Sequence, residues 1–314
     1  MGAYLSRPKL EKTTEIIETA KLRCYASCMQ GWRLSMEDAH NCSPDFDDNT
    51  SYFAVYDGHG GAEVALYCAE YLPTILKNLP TYKEGNISSA LSDAFLKIDD
   101  IVISPDTKIE LERLAASTQT DNQGSNEEVE PNDDDEVDDD VAVSSGTTAV
   151  VAVIHKDELI VANAGDSRCI LCRNGVALPM SLDHKPTDSP EKERILGAGG
   201  KIIDGRINQG LNLSRAIGDH MYKGNPEKSS IEQMVIAKPD IVSLKLEPSD
   251  EFVVLACDGI WDCMSNQEVV DFIRVRLPLR KSGKQQSKML LDNCLAGECI
   301  GDGTGCDNMT CIVV

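Results

Sequence analysis

The sequence predicts an antiparallel α+β fold. Apolar runs of strand length come in clusters, and pairs of amphipathic helical segments separate those clusters. Strand and helix do not alternate regularly, as they would in a doubly wound parallel sheet. Asn174-Gly175 joins two short apolar runs, and the pair favours a tight hairpin because both residues accept positive φ. No internal repeat is present.

Taken in order, Ser51 to Tyr56 reads as a buried strand. Helical spacing follows from Ala62 to Leu79, with Ala65, Cys68, Leu72, Ile75 and Leu79 on one side. A second amphipathic helix carries Ile87, Leu91, Ala94, Phe95, Ile98 and Val102. Residues 121–140 contain eleven Asp or Glu and no Lys or Arg, half of the formal net charge of -22. Such a run repels itself and buries nothing, so a disordered acidic insert is expected from about Ser104 to Ser144. Hairpins come next: Thr148 to Ile154 with Leu159 to Ala164, then Arg168 to Cys172 with Val176 to Met180. A short helix starts at Ser189-Pro190, with Ser189 as the N-cap and Pro190 as a favoured first-turn proline, and stops at Gly197. Strands resume at Ile241 to Leu246 and Phe252 to Cys257. Ser265 and Glu268 form a capping box for a helix that Pro278 ends, and a helix near Ser287 to Ala296 precedes a last strand, Met309 to Val314.

With 52 acidic and 30 basic residues the chain lacks the clustered cations that phosphate backbones require, so direct nucleic-acid binding is not expected. Basic proteins and metal cations are the expected company. The longest wholly apolar run, Ala149 to Ile154, is far below the ~18 residues of a membrane span. The start, Met1-Gly2-Ala3-Tyr4-Leu5-Ser6, fits an N-myristoylation pattern, and membrane contact is expected only if Gly2 is acylated. Otherwise it reads as a flexible terminus. It shows no apolar secretory core, so the twelve cysteines are expected as free thiols in a reducing compartment, without disulfides. Cys169 and Cys172 sit three apart on a strand and face opposite sides, which makes them core thiols.

The chemistry-bearing residues stand where strands run into glycine turns. Tyr52 to Tyr56 delivers Asp57 to Gly58-His59-Gly60-Gly61, and Phe252 to Cys257 delivers Asp258 to Gly259. Asp307 precedes the closing strand. An acid at the edge of a buried sheet is costly unless neutralised, and a divalent cation would neutralise several at once. Oxygen-only donors point to Mg²⁺ or Mn²⁺ rather than zinc. Upstream, Arg33, Glu37 and Asp38 fall within six residues: Glu37 would complete a metal site, and the planar fork of Arg33 suits a phosphate.

These blocks resemble the metal-dependent Ser/Thr protein phosphatases of type 2C, the PPM family. The resemblance runs over about residues 22–314 through Gly31 to His40, Tyr56 to Gly61, Ser145 to Thr148, Ala162 to Arg168, Ser214 to Asp219, Ala256 to Asp262 and Asp307 to Thr310. The N-terminal residues and the acidic insert resemble the gamma-type branch, which is nuclear, although the insert is shorter here. The resemblance implies one catalytic domain over 1–314, built as two packed antiparallel sheets flanked by helix pairs in four αββα layers. It implies two Mn²⁺ or Mg²⁺ ions bridged by Asp57, with Glu37 and the Gly58 carbonyl on one and Asp258 and Asp307 on the other. Asp38 would orient a metal-bound water and Arg33 would hold the substrate phosphate. Asp166, Asp258 and Asp262 match a third, weaker metal site.

The implied reaction is hydrolysis of phosphoserine and phosphothreonine in proteins by a water or hydroxide between the ions, whose charge lowers its pKa and screens the phosphate. A serine or threonine alkoxide leaves poorly, so a general acid is needed, and His59 beside Asp57 is the best placed of five histidines. A monomer in the nucleus or cytoplasm is expected. The alternative is a catalytically silent acidic module that recruits basic nuclear proteins through residues 121–140. Other phosphatase chemistries lack their letters: Cys28 and Arg33 are too close for a cysteine phosphate loop, and Asp45 to Thr50 misses the aspartyl-phosphate pattern at Asn49.

Overall fold

The structure is a computed structural model that describes residues 4–120, 141–276 and 283–314. Its architecture is α+β, with two main antiparallel sheets packed face to face. Across one sheet the strands run Tyr4–Glu18, Arg23–Arg33, Met309–Val313, Asp250–Ala256, Arg168–Arg173 and Val176–Pro179. Across the other they run Asp240–Lys245, Glu158–Ala164, Ala149–His155, Thr50–Tyr56 and Ala39–Asp47. No described helix is long and apolar enough to cross a membrane.

The period-two alternation of side chains sorts each central strand between two layers. Phe53 and Val55 point into the space between the sheets, where they meet Val150, Val161, Leu171, Val253 and Leu255. Their neighbours Tyr52, Ala54 and Tyr56 point the other way, onto the helices Glu63–Asn78 and Ile87–Val102. On the second sheet Phe252, Val254 and Ala256 meet the helices Asn266–Arg276 and Gly283–Cys294 through Val269, Val270, Ile273, Leu290 and Leu291. Strands covered on both faces read as continuous apolar runs, which is why these were visible in the sequence. Cys172 lies in the helix-side core and Cys169 between the sheets, as their spacing predicts.

Most expected elements fall within a residue or two of their places. Asn174 and Gly175 both take positive φ, at 50° and 78°, as the hairpin requires. Ser265 and Glu268 close their capping box, with Ser265 N–H and Oγ donating to Glu268 Oε2 at 2.8 and 2.7 Å.

Four expectations need correcting. The N-terminal segment, read as flexible, is a strand from Tyr4 to Glu18 paired antiparallel with Arg23–Arg33. As a sheet edge, largely exposed, it carries too few apolar residues to reveal itself. The insert does not begin at Ser104, because a helix spans Pro105–Thr120 and buries Leu111 and Leu114 against the neighbouring helices. Residues 121–140, on which the reading of an acidic disordered run rests, lie outside the described residues, as does Gly2. Cys299 and Cys306 are joined as a disulfide, where free thiols were expected. The turn between them holds Gly301, Gly303 and Gly305, all at positive φ, which folds the chain back until the two Cα atoms are 5.9 Å apart. Finally, Asp188 rather than Ser189 takes the cap position of the helix Ser189–Gly197.

Candidate active site

At one end of the two sheets a cavity of about 1060 Å³ opens. Its wall contains Arg33, Glu37, Asp57, Gly58, His59, Asp166, Asp258, Asp262 and Asp307. The strand Thr50–Tyr56 ends at Asp57, and the next residue must be glycine. A Cβ on Gly58 would stand 2.4 Å from the Glu37 carbonyl oxygen, so its absence lets the Glu37 backbone lie against the Asp57 turn. The strand Asp250–Ala256 delivers Asp258 in the same way. There a Cβ on Gly259 would fall 2.0 Å from the Asn308 carbonyl oxygen, which brings the Asp258 turn against the Asp307-Asn308 segment.

Asn308 fastens the loop that carries Glu37. Its side-chain amide donates to the carbonyls of Gln30 and Ser35 at 2.8 and 3.0 Å, and its Oδ1 accepts from the Glu37 N–H at 2.9 Å. Ser35 Oγ donates to the Glu37 carboxylate at 2.6 Å. Arg33 reaches Asp307 Oδ2 at 2.5 Å through Nη2, while its Nε is buried without a hydrogen-bond partner among the described residues. Arg33 lines the cavity, which has room for an anion.

The carboxylates crowd one another. Asp57, Asp166 and Asp258 each offer an oxygen within 4.8 Å of the others. Asp38, Asp57 and Cys257 form a second such group that shares Asp57. Burial raises the Asp57 carboxyl well above the usual carboxylate range, and the charges of Asp258, Asp38, Asp307 and Asp166 push it further. Asp258 is raised by burial and then by Asp166, Asp307 and Asp262. Asp38 is pushed up to about 7, first by burial, although Thr310 Oγ1 donates to its Oδ2 at 2.6 Å. The other oxygen of Asp38 is buried and has no hydrogen-bond partner within bonding distance among the described residues.

Glu37, Asp262 and Asp307 line the same cavity but stand outside the two tight groups. Asp38 lies in a tight group rather than behind it. Burial and nearby Asp38, Asp57 and Asp258 push the Cys257 thiol pKa up, and its sulfur receives the Thr310 N–H at 3.1 Å.

Three residues escaped the sequence reading. Lys185 pairs with Asp166 and supplies positive charge beside the cluster. Asp219 accepts from His59 Nε2 at 2.7 Å. Burial opposes charge on that imidazole, but the Asp219 carboxylate outweighs it and raises the His59 pKa. Asn308 is the third. Asp219 and Asn308 both fall inside sequence blocks quoted above, whereas Lys185 follows no pattern.

Buried oxygen donors that repel one another, with an unpartnered Asp38 oxygen among them, fit a hard divalent cation. Two relatives and one solved structure agree with the architecture. A family profile described as protein phosphatase 2C matches residues 22–303. The chain is 45% identical over its whole length, and 92% of the relative's, to "Probable protein phosphatase 2C 21" of Arabidopsis thaliana. It is 35% identical to "Protein phosphatase 1G" of Rattus norvegicus, again over its whole length and 92% of the relative's. A phosphatase crystal structure from Toxoplasma gondii shares the fold with a TM-score of 0.72 at 22% identity, covering 96% of this chain and 95% of that one. The chain therefore belongs to the protein phosphatase 2C family and is a protein serine/threonine phosphatase.

Proposed function

We propose that this phosphatase hydrolyses phosphoserine and phosphothreonine in proteins with two divalent ions held at the mouth of the two sheets. Family membership implies Mg²⁺ or Mn²⁺ dependence. Glu37, Asp57 and the Gly58 carbonyl would hold one ion, and Asp57, Asp258 and Asp307 the other. Asp166, Asp258 and Asp262 would hold a third, weaker one. Bound there, the ions would lower the pKa of a water and screen the phosphoryl charge. The convergence of Asp57, Asp166 and Asp258 within 4.8 Å is the observation that carries this reading.

The chain's own residues account for the remaining steps. Arg33 receives the phosphate, since it lines the cavity and Asp307 anchors its Nη2. Asp38 keeps one oxygen on Thr310 and turns the other to orient the attacking water. His59 gives a proton to the departing serine or threonine oxygen.

The test is phosphate release from a phosphothreonine peptide. Turnover should need added Mn²⁺ or Mg²⁺, vanish in Asp258→Ala, and survive deletion of residues 121–140. Turnover unaffected by chelation or by Asp258→Ala would refute the reading. The acidic run 121–140 and the similarity to protein phosphatase 1G support a gamma-type role in which that run docks basic proteins. Its deletion should weaken capture of a basic partner protein while leaving peptide turnover intact.

A further inference from the structure

We infer that Asp219 is the positioning residue for the acid, directing His59 so that Nδ1 faces the leaving oxygen. The inference rests on the proposed role of His59 as proton donor. Asp219 lies 160 residues from His59 in the chain and is 2% exposed, yet its carboxylate takes the Nε2 hydrogen bond at 2.7 Å. With Nε2 engaged, Nδ1 is the ring nitrogen left to serve the cavity that His59 lines.

A small three-stranded ladder builds this contact. Gly58–His59, Gly146–Thr147 and Ile217–Gly218 pair side by side, with His59 opposite Gly146 and Gly218 on its other side. Asp219 follows directly and donates its N–H to the Ser145 carbonyl at 2.9 Å, at a φ of 52° that places a non-glycine residue in the left-handed region. Gly146 is the keystone. A Cβ there would lie 2.6 Å from Asp219 Oδ2 and 2.8 Å from His59 Nε2, so any side chain would separate the pair. The ladder is anchored in turn to the helix Ile87–Val102, whose buried Asp99 accepts from the Gly218 N–H at 2.8 Å and from Lys223 Nζ at 2.7 Å. The left-handed Asp219 and a glycine with no room for a methyl group converge on one imidazole, and the buried Asp99 carboxylate holds the strand that leads into Asp219.

In the step served, the bond from phosphorus to the substrate Oγ breaks and its electron pair stays on oxygen. That oxygen takes the proton from His59 Nδ1, leaving a neutral imidazole whose Nε2–H still rests on Asp219. The proton is then regained from water.

The experiment compares two substrates. A phosphothreonine peptide needs its leaving alkoxide protonated, whereas p-nitrophenyl phosphate releases a stable anion unaided. Asp219→Ala should lower kcat on the peptide roughly a hundredfold, with KM and the kcat on p-nitrophenyl phosphate within about threefold of wild type. Asp219→Asn, which keeps an acceptor oxygen, should recover part of the loss. Nitrogen-15 NMR of the metal-free protein should report His59 hydrogen-bonded at Nε2 in wild type and released in Asp219→Ala. Should Asp219→Ala not fold, Gly146→Ala should show the same substrate-selective loss.

Equal losses on both substrates, or none on either, would overturn the inference. His59→Gln separates the two claims. If it too is blind to the leaving group, the acid role of His59 falls. If it is selective while Asp219→Ala is not, the positioning role alone falls.

Discussion

Two clusters of carboxylates stand on this fold and differ in what faces them. At the cavity Asp57, Asp166 and Asp258 face one another, with Lys185 on Asp166. In the first turn of the helix Ser189–Gly197, Glu191 faces arginines. Arg215 Nη2 meets its Oε1 at 2.7 Å, Arg194 Nη1 meets its Oε2 at 2.8 Å, and Ser214 Oγ donates at 2.7 Å. Arg215 then reaches Asp240 on the sheet edge at 2.7 Å, and Asp240 is held by His184 at 3.2 Å. Burial acts on both clusters alike, yet the outcomes are opposite. Asp57 and Asp258 are pushed far up, while hydrogen bonds from Arg215 and the charges of Arg194 and Arg215 outweigh burial and bring Glu191 down to about 2. A buried acid with its counter-charge built in is a fastener. One left among other acids is a site waiting for a cation.

The sharpest way to break this contrast is to neutralise each cluster in turn. Asp57→Asn should cost roughly a thousandfold in phosphothreonine turnover, about 4 kcal/mol, while the metal-free thermal midpoint does not fall. A falling midpoint would mean that the cavity acids are structural after all. Glu191→Ala should do the reverse, lowering the urea-unfolding free energy by about 3 kcal/mol because Arg194 and Arg215 lose their buried partner.

A smaller effect comes from the cation itself. Mg²⁺ at a hundred times its Kd should stabilise wild type by about 2.7 kcal/mol, and the gain should disappear in Asp57→Asn. Persistence of that gain would place the ion elsewhere.

Acid should discriminate the clusters most gently. Because the folded pKa of Glu191 lies below its unfolded value, its contribution is complete above the ordinary glutamate pKa and drains away as pH falls toward about 2. Between pH 5 and 3 wild type should lose about 2 kcal/mol more than Glu191→Gln in urea melts at matched pH. Parallel curves for the two proteins would show that the arginine cage does not hold the charge.

Legibility followed covering. The strands Thr50–Tyr56, Ala149–His155 and Asp250–Ala256 were plain because both faces are buried, so every position is apolar. Tyr4–Glu18, Arg23–Arg33 and Ala39–Asp47 were not, since edge exposure and residues such as Pro8, Gly31 and Pro44 blur the alternation. Pro105–Thr120 hid beside an acidic run whose composition masks the two leucines that seat it. In the cavity, Asp57 and Asp258 stood out because an acid at a strand end needs a glycine to turn, and that pairing is local. Lys185, Asp219 and Thr310 carry no such mark: Thr310 reaches Asp38 across 272 residues.

Residue order alone settled which acids end strands, which glycines follow them, and the family to which the blocks belong, because backbone turning and apolar covering act between neighbours in the chain. Which acid meets which partner was settled by packing. Charge interactions depend on distance in space and on the loss of water between groups, so the same aspartate becomes a fastener beside Arg215 and a prospective ligand beside Asp258 once the two sheets have closed.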